Sequence, residues 1–252
     1  MKPFYQFESL CQENSLIHGV SQKSTNEQLL FSLALHTQEE PKLICANRVK
    51  VANLFQMQEY TFIVANQTHS SNIKVIESTS SKGWSSQENA IDNCDGLLTN
   101  QRGVVLSILT ADCVPILLYD RVQKVVGALH AGWRGTHQQI ASKGIEMMQE
   151  RFHSNLHDIV VAIAPAIGGC CYEVGEDVAS HFFEYPRALK KRGEKYNLDL
   201  RVVNEEQLLA LGIPQENIEQ SGICTACSVE NYFSYRKEGG CSGRFMSMIG
   251  LR

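Results

Sequence analysis

The sequence has few of the features that mark secreted, membrane or nucleic-acid-binding proteins. Residues 1–15 hold no apolar stretch long enough for a signal peptide, and no run approaches the roughly 18 apolar residues of a membrane span. The 27 acidic residues outnumber the 23 basic ones, giving a formal net charge of −4 rather than the basic excess of a nucleic-acid binder. We therefore expect a cytoplasmic protein that binds neither a membrane nor nucleic acid.

Several cofactor signatures are also missing. The sequence contains no G-x-G-x-x-G and no G-x-x-x-x-G-K-[ST] motif, which argues against a Rossmann or P-loop nucleotide site. It has eight histidines but no His-x-His pair, whereas a classical multicopper oxidase uses such pairs to hold four copper ions. These absences direct attention to a smaller site built from isolated residues.

What the sequence does have is enough apolar material for one globular domain spanning residues 1–252. Hydrophobic residues make up 43% of the chain and charged residues 20%. Three apolar, β-branched runs indicate buried strands, at Val104–Leu109, Val114–Tyr119 and Val125–Leu129. Their close spacing argues against a simple βαβ repeat. The predicted fold class is mixed α/β, with a β-sheet or sandwich core flanked by helices.

Other segments give weaker or ambiguous patterns. Pro41–Phe55 is predicted to be a helix, and its apolar stripe includes Arg48. The segment 26–37 fits either a helix or a strand. Residues 4–19 are expected to form one or two strands, and residues 231–236 a further strand.

Two histidines and a cysteine stand where predicted strands end. His69 follows the apolar run Tyr60–Ala65, Cys113 lies between the first two strands named above, and His130 ends the third. Two imidazoles and a thiolate suit Zn²⁺ or a copper ion. Three ligands leave a fourth tetrahedral position open for an activated water, which is typical of a catalytic zinc site. The pattern thus predicts a catalytic metal site.

The same residues allow two other interpretations. Cys113 and His130 fit a nucleophile–base pair for acyl transfer, with His69 orienting the substrate. Alternatively, Cys113 is a structural buried thiol and His130 a satisfied polar group at a strand end.

The remaining cysteines do not predict a second metal site. Disulfides are rare in the cytoplasm, so the nine cysteines are expected to be mostly reduced. The pair Cys224 and Cys227 would need a second such pair to form a zinc ribbon, and Cys241 alone does not complete it. Cys170 and Cys171 are adjacent, and neighbouring side chains do not easily point into one site.

Nearly the whole chain resembles the YfiH-like family, described variously as laccase-domain proteins, polyphenol oxidases, purine nucleoside phosphorylases and peptidoglycan editing factors. The resemblance rests on short sequence blocks: Asn47-Arg48, Gln67-Thr68-His69, Asp95-Gly96 with Thr99, Thr110–Pro115, His130–Gly135, Ala164–Ile167, Cys171–Gly175, Cys224-Thr225, Phe233–Arg236 and Gly243-Arg244. It implies one α/β domain with sheets packed between helices, and a metal site of His69, Cys113 and His130. It also implies phosphorolysis of adenosine, inosine, guanosine and methylthioadenosine, with adenosine deamination beside it.

Within that resemblance we assign expected roles. Deamination needs a carboxylate for proton transfer, supplied by Asp95 or, as second choice, Asp112. The attacking phosphate needs a cation, for which Arg48 is the first choice and Arg134 the second. Gln67 is expected to contact the substrate. The expected metal is zinc, with copper as the alternative.

The chain departs from the family at two positions. Ser32 stands where the family often has Asn, which puts a substrate contact there in doubt, and Ser242 stands where it often has Thr. Three other functions remain open: copper-dependent phenol oxidation, cysteine hydrolysis of peptidoglycan precursors, and partner binding by a zinc-stabilised, non-catalytic protein. The sequence leaves the oligomeric state undetermined.

Overall fold

The computed structural model describes residues 4–77, 80–240 and 243–252, so Cys241 and Ser242 lie outside the described residues. The strands are β1 (Phe4–Tyr5), β2 (Leu16–Ser21), β3 (Thr61–Val64), β4 (Ile73–Val75), β5 (Gly96–Thr99), β6 (Val104–Thr110), β7 (Val114–Asp120), β8 (Val125–Ala131), β9 (Ile159–Ile163), β10 (Glu173–Val174), β11 (Leu189–Arg192), β12 (Lys195–Leu198), β13 (Ile218–Gln220) and β14 (Phe245–Leu251). The α-helices are α1 (Glu8–Cys11), α2 (Pro41–Leu54), α3 (Trp133–His137), α4 (Ile140–Phe152), α5 (Glu176–Ala179) and α6 (Leu200–Leu211).

Two large mixed sheets form the centre of the molecule. In the described residues one has the order β1-β2-β14-β6-β3 and the other β13-β9-β7-β8-β5-β4. A small antiparallel sheet, β10-β12-β11, lies apart from both. The two large sheets contain parallel and antiparallel pairs, since β3 runs parallel to β6 while β14 runs antiparallel to it. This is the mixed α/β arrangement that the sequence predicts.

Alternating side chains along the central strands explain the layering. On β7, Leu117 and Tyr119 join the apolar cluster between the two large sheets, whereas Ile116 and Leu118 face a second cluster packed against α4 and α6. A third cluster fills the space between α2 and the outer face of the other sheet. The core is thus a sheet sandwich with helices on both outer faces, which confirms the predicted fold class. Among the described helices, none combines the length and apolar character needed to cross a bilayer.

Three predicted elements differ from the structure. The segment 26–37 is neither helix nor strand: it contains a short 3₁₀ turn in which Leu29 and Leu30 have φ near +52°, incompatible with both. The strand predicted at 231–236 is wrong, because its backbone N–H groups donate to the carboxylates of Glu238 and Asp112 instead of a neighbouring strand. Residues 4–19 include the helix α1 between β1 and β2.

The connection between β6 and β7 positions the candidate site. β6 belongs to one large sheet and β7 to the other, so residues 111–113 carry the chain across the sandwich. This crossing is tight: Asp112 adopts φ +91°, a strained conformation for a residue with a side chain. Backbone strain of this kind recurs at functional sites, and Cys113 is the residue between this strained position and the start of β7.

Candidate metal centre

The structure brings His69, Cys113 and His130 together. Their ligand atoms all lie within 4.8 Å of one another, and the Cys113 sulfur is 3.9 Å from His69 Nε2. His130 is almost fully buried, Cys113 half-buried and His69 exposed, so the group has a closed back and an open front. The arrangement can hold a metal ion with one coordination position left accessible.

Backbone conformation makes this convergence feasible. His69 adopts φ +60°, which turns its ring back toward β8. A Cβ atom on Gly132 would lie 3.0 Å from His69 Cδ2 and 3.2 Å from Cys113 Sγ. Glycine at this position therefore leaves room for the imidazole and the thiol to approach each other.

Asp95 orders the group from behind. Its buried carboxylate accepts hydrogen bonds from His69 N (3.1 Å), from the N–H and hydroxyl of Ser70 (both 2.7 Å) and from His130 Nδ1 (2.7 Å). Burial tends to raise the pKa of Asp95, but the bonds from His130 and Ser70 outweigh it and hold this pKa well below its usual range. An ionised carboxylate only accepts, so His130 Nδ1 donates to Asp95, and Nε2 is the ring nitrogen that a metal would take in place of a proton.

The electrostatics of the group favour a thiolate. Burial by itself raises the pKa of Cys113, but the charge and hydrogen bond of His130, together with His69, lower it to about 6. Burial opposes protonation of His130, yet Cys113 and Asp95 raise the pKa of its imidazole to about 9. A thiolate is the form of cysteine that binds metals and acts as a nucleophile.

A cavity of about 520 Å³ opens in front of the three residues. Its volume suits a small organic molecule. Gln67 and Asp112, both predicted as site residues, line it. Several residues to which the sequence analysis assigned no role also line it, among them His36, Tyr172, Tyr235, Arg236 and Arg244. Tyr172, Tyr235, Arg236 and Arg244 belong to the sequence blocks of the family resemblance, which was the available signal.

The two predicted lining residues are held by nearby groups. The Gln67 amide exchanges two hydrogen bonds with the backbone of Leu109, at 2.8 and 2.9 Å, so it extends the edge of β6. Asp112 accepts from Thr225 Oγ1 at 2.6 Å and from Arg236 N at 2.7 Å. Because it faces the cavity and Asp95 does not, Asp112 is the better placed of the two carboxylates for contact with a substrate.

Neither predicted phosphate-binding arginine lies in the cavity. Arg48 is fully buried and donates to the carbonyls of Leu33 (2.8 Å), Gly83 (2.5 Å) and Trp84 (2.6 Å), so it joins α2 to the loops over it. Arg134 is exposed and rests over the Trp133 ring, 4.2 Å from its centroid. The buried guanidinium does not line the cavity, so this geometry does not favour the first-choice role of Arg48 as a phosphate-binding residue.

The cations that do line the cavity are Arg236 and Arg244. Arg236 lies over the Tyr172 ring at 5.1 Å and donates to the carbonyl of Glu173 at 2.6 Å. Arg244 lies over the Tyr235 ring at 5.7 Å. Each guanidinium is thus oriented by an aromatic ring of the same cavity wall.

A second group of cysteines corrects the sequence analysis. Cys170 and Cys171, although adjacent, both approach Cys227, with sulfur–sulfur distances of 3.6 and 3.4 Å. With Cys224 they form a group whose sulfurs lie within 4.8 Å of one another. The expectation that adjacent cysteines do not share a site is wrong here, because the Gly168–Tyr172 turn presents both on one side.

Comparison with known proteins finds relatives over most of the chain. A family model described as "Multi-copper polyphenol oxidoreductase laccase" matches residues 16–252. The purine nucleoside phosphorylase YlmD of Bacillus subtilis is 34% identical over 240 residues, which cover 93% of this chain and 85% of YlmD. The adenosine deaminase RL5, from an unknown prokaryotic organism, is 36% identical over 194 residues, or 74% of each chain.

Solved structures of similar proteins have the same fold. The crystal structure of the YfiH protein of Bacillus licheniformis matches with a TM-score of 0.93 at 32% identity, covering 100% of this chain and 97% of that one. The chain therefore belongs to the multi-copper polyphenol oxidoreductase laccase family, the YfiH-like family that its sequence blocks resemble.

Proposed function

We propose that the protein is a metal-dependent purine nucleoside phosphorylase with adenosine deaminase activity. The observation that carries the proposal is the shared cavity: the open side of His69, Cys113 and His130 faces the same space as Arg236 and Arg244. The site therefore combines a metal position with two cations suited to phosphate. Relatives named purine nucleoside phosphorylase and adenosine deaminase support this assignment.

In phosphorolysis, a phosphate oxygen forms a bond to C1′ of the ribose while the C1′–N9 bond breaks. The bonding electrons leave with the purine, which takes up the proton of the attacking hydrogen phosphate. The products are the free base and ribose 1-phosphate, or 5-methylthioribose 1-phosphate when the substrate is methylthioadenosine. Arg236 and Arg244 would bind and orient the phosphate through charge-assisted hydrogen bonds. Tyr172 and Tyr235, which lie under those guanidinium groups, offer apolar faces to the nucleoside. Adenosine, inosine, guanosine and methylthioadenosine are the proposed substrates.

The donor set fits the proposed zinc. Two imidazole nitrogens and a thiolate suit Zn²⁺, and Asp95 fixes the His130 tautomer as an outer-shell carboxylate does in zinc sites. When bound, the metal supplies a Lewis acid at the cavity floor. For deamination, Asp112 is the carboxylate that we assign to proton transfer at the purine amino group, since it lines the cavity.

The direct test is product analysis with adenosine. Zinc-loaded protein should release adenine and ribose 1-phosphate only when phosphate is present, while inosine formed without phosphate reports deamination. A matched reaction with Cys113→Ser should give neither product, and Cys45→Ser, altered at a cysteine of α2 outside the cavity, should react like the parent protein. Fully metal-loaded protein that leaves adenosine unchanged under both conditions would show the proposal to be wrong.

Copper-dependent oxidation of phenols is the second candidate function. The family description and the soft donor set favour it, because imidazole and thiolate ligands also suit copper. Phenol turnover after copper loading, together with inert adenosine, would replace the first proposal by this one. Elemental analysis of the protein as purified distinguishes zinc from copper directly.

A further inference from the structure

Four cysteines outside the cavity form a compact sulfur cluster. Cys170 and Cys171 come from the turn after β9, and Cys224 and Cys227 from the loop after β13. The Cys227 sulfur is 3.6 Å from that of Cys170 and 3.4 Å from that of Cys171, although 56 residues separate Cys171 from Cys227. We propose that these residues, here called the cysteine tetrad, bind a structural Zn²⁺ ion separate from the metal at His69, Cys113 and His130.

The spacing of the sulfurs matches a tetrahedral zinc site. Zn–S bonds of about 2.3 Å in a tetrahedron place the sulfur atoms roughly 3.8 Å apart. The sulfur–sulfur distances of 3.4 and 3.6 Å lie close to that value, and all four sulfurs lie within 4.8 Å of one another. Four protein ligands fill the coordination shell, so the site is closed in the manner of structural zinc rather than catalytic zinc.

Exposure argues against the tetrad being ordinary core packing. Cys170 and Cys227 are exposed and Cys171 is half-buried, while Cys224 alone is buried. Unliganded structural cysteines are usually among the most buried residues. Burial of apolar thiols therefore does not explain why four of them gather at the surface.

The surroundings of the tetrad supply hydrogen bonds and positive charge for thiolates. Gly168 N–H donates to Cys224 Sγ at 3.2 Å. A Cβ atom on Gly168 would lie 2.6 Å from Arg201 Nη2 and 3.4 Å from Cys170 Sγ, so the guanidinium is beside the cluster. Asp199 orients that guanidinium at 2.7 Å. Outer-shell donors and a nearby cation stabilise the net negative charge of a four-thiolate zinc site.

The tetrad braces one wall of the cavity. Thr225, next to Cys224, donates its hydroxyl to Asp112 at 2.6 Å and its N–H to the carbonyl of Ala166. Tyr172, next to Cys171, lines the cavity. A zinc ion linking the two loops would hold Asp112 and Tyr172 in place while taking no part in the reaction.

The test is zinc stoichiometry in a background without the first site. Protein carrying His69→Ala and Cys113→Ala, purified with reductant, should retain about one zinc ion per chain, because the four-thiolate site binds tightly. Adding Cys170→Ser and Cys227→Ser should remove that zinc, whereas adding Cys45→Ser should not. Cobalt substitution of the His69→Ala/Cys113→Ala protein should give the intense thiolate-to-cobalt absorption of a four-sulfur site.

A second measurement guards against variants that fail to fold. In the natural protein, alkylation should spare the tetrad until a strong chelator is added, and chelation should then label these cysteines and lower the melting temperature. Two results would overturn the proposal. One is a zinc content near zero in the His69→Ala/Cys113→Ala protein. The other is a Cys171–Cys227 disulfide in the natural protein after purification with reductant. These readouts do not depend on which reaction the cavity performs.

Discussion

The candidate metal centre and the cysteine tetrad differ in how many ligands they bring together and in how accessible they are. His69, Cys113 and His130 come from loops and strand ends of both large sheets and leave one side open to a cavity. The cysteine tetrad comes from two loops. It has four candidate ligands, whereas the first group has three and leaves its fourth coordination position open. The number of converging ligands, rather than the presence of cysteine, separates a site for chemistry from a site for stability.

The two groups also differ in what holds them in place. A buried carboxylate, Asp95, holds the first group in place by accepting hydrogen bonds from His130 and from the segment Thr68–Ser70. In the second group, the Gly168 N–H donates to Cys224 Sγ, and the Arg201 guanidinium lies beside the sulfurs. Asp112 lies between them, next to Cys113 in sequence and bonded to Thr225 of the tetrad loop. Substitutions at each of these points test the comparison.

We call His69, Cys113 and His130 the open group. Removing one of its ligands should have the largest effect on activity. His130→Ala or Cys113→Ala should lower kcat/KM for adenosine phosphorolysis by more than the roughly 10–100-fold cost of losing an outer partner. The measurement is steady-state kinetics with zinc analysis of the same samples. Retention of most activity by either folded variant would mean that the open group does no chemistry.

Asp95→Asn should have the next largest effect. The amide no longer offers His130 Nδ1 a full negative charge, so we expect activity and zinc affinity to fall by about 10–100-fold. Asp92→Asn is the matched control, because Asp92 is exposed and its carboxylate accepts a hydrogen bond from Asn66 Nδ2 at 3.2 Å. Equal behaviour of the two variants would contradict the positioning role of Asp95.

Arg236→Gln should mainly weaken phosphate binding. Loss of a charged hydrogen bond worth about 1.5–3 kcal/mol should raise the KM for phosphate roughly tenfold or more, with a smaller effect on nucleoside binding. Arg134→Gln, altered at an arginine outside the cavity, should leave both constants unchanged. A rise in phosphate KM for Arg134→Gln but not Arg236→Gln would restore the sequence-based second choice.

Thr225→Val should give the smallest effect and tests the link between the two groups. It leaves Asp112 Oδ1 without its 2.6 Å partner, at a cost of about 1–3 kcal/mol in the free energy of unfolding. Activity should fall a few-fold as well. Thr99→Val removes a buried hydrogen bond to Ile76 O at 2.7 Å and the one that Gln101 N donates to the same hydroxyl. Because Thr99 does not line the cavity, this variant should lower stability alone. Urea unfolding and kinetics on both variants decide whether Asp112 connects the groups.

Some features of the fold and site could be predicted because their signals are local. The β-branched runs that became β6, β7 and β8 carry their burial in their own composition. Arg48 shows the limit of such signals. Its place in an apolar stripe correctly marked it as unusual, but only packing determined that its donors bond to carbonyls of the loops over α2.

By itself, the sequence determined the sheet-forming segments, the α2 helix and, with the family resemblance, the three residues of the open group. Only the tertiary structure decided which arginines reach the cavity and that Asp95 lies behind His130. It also decided that Cys171 and Cys227, 56 residues apart, approach to 3.4 Å. The physical reason is that the burial and periodicity of a segment can be predicted from the types of its neighbouring residues. A site, in contrast, is formed by loops distant in sequence, which come together only through the packing of the sheets.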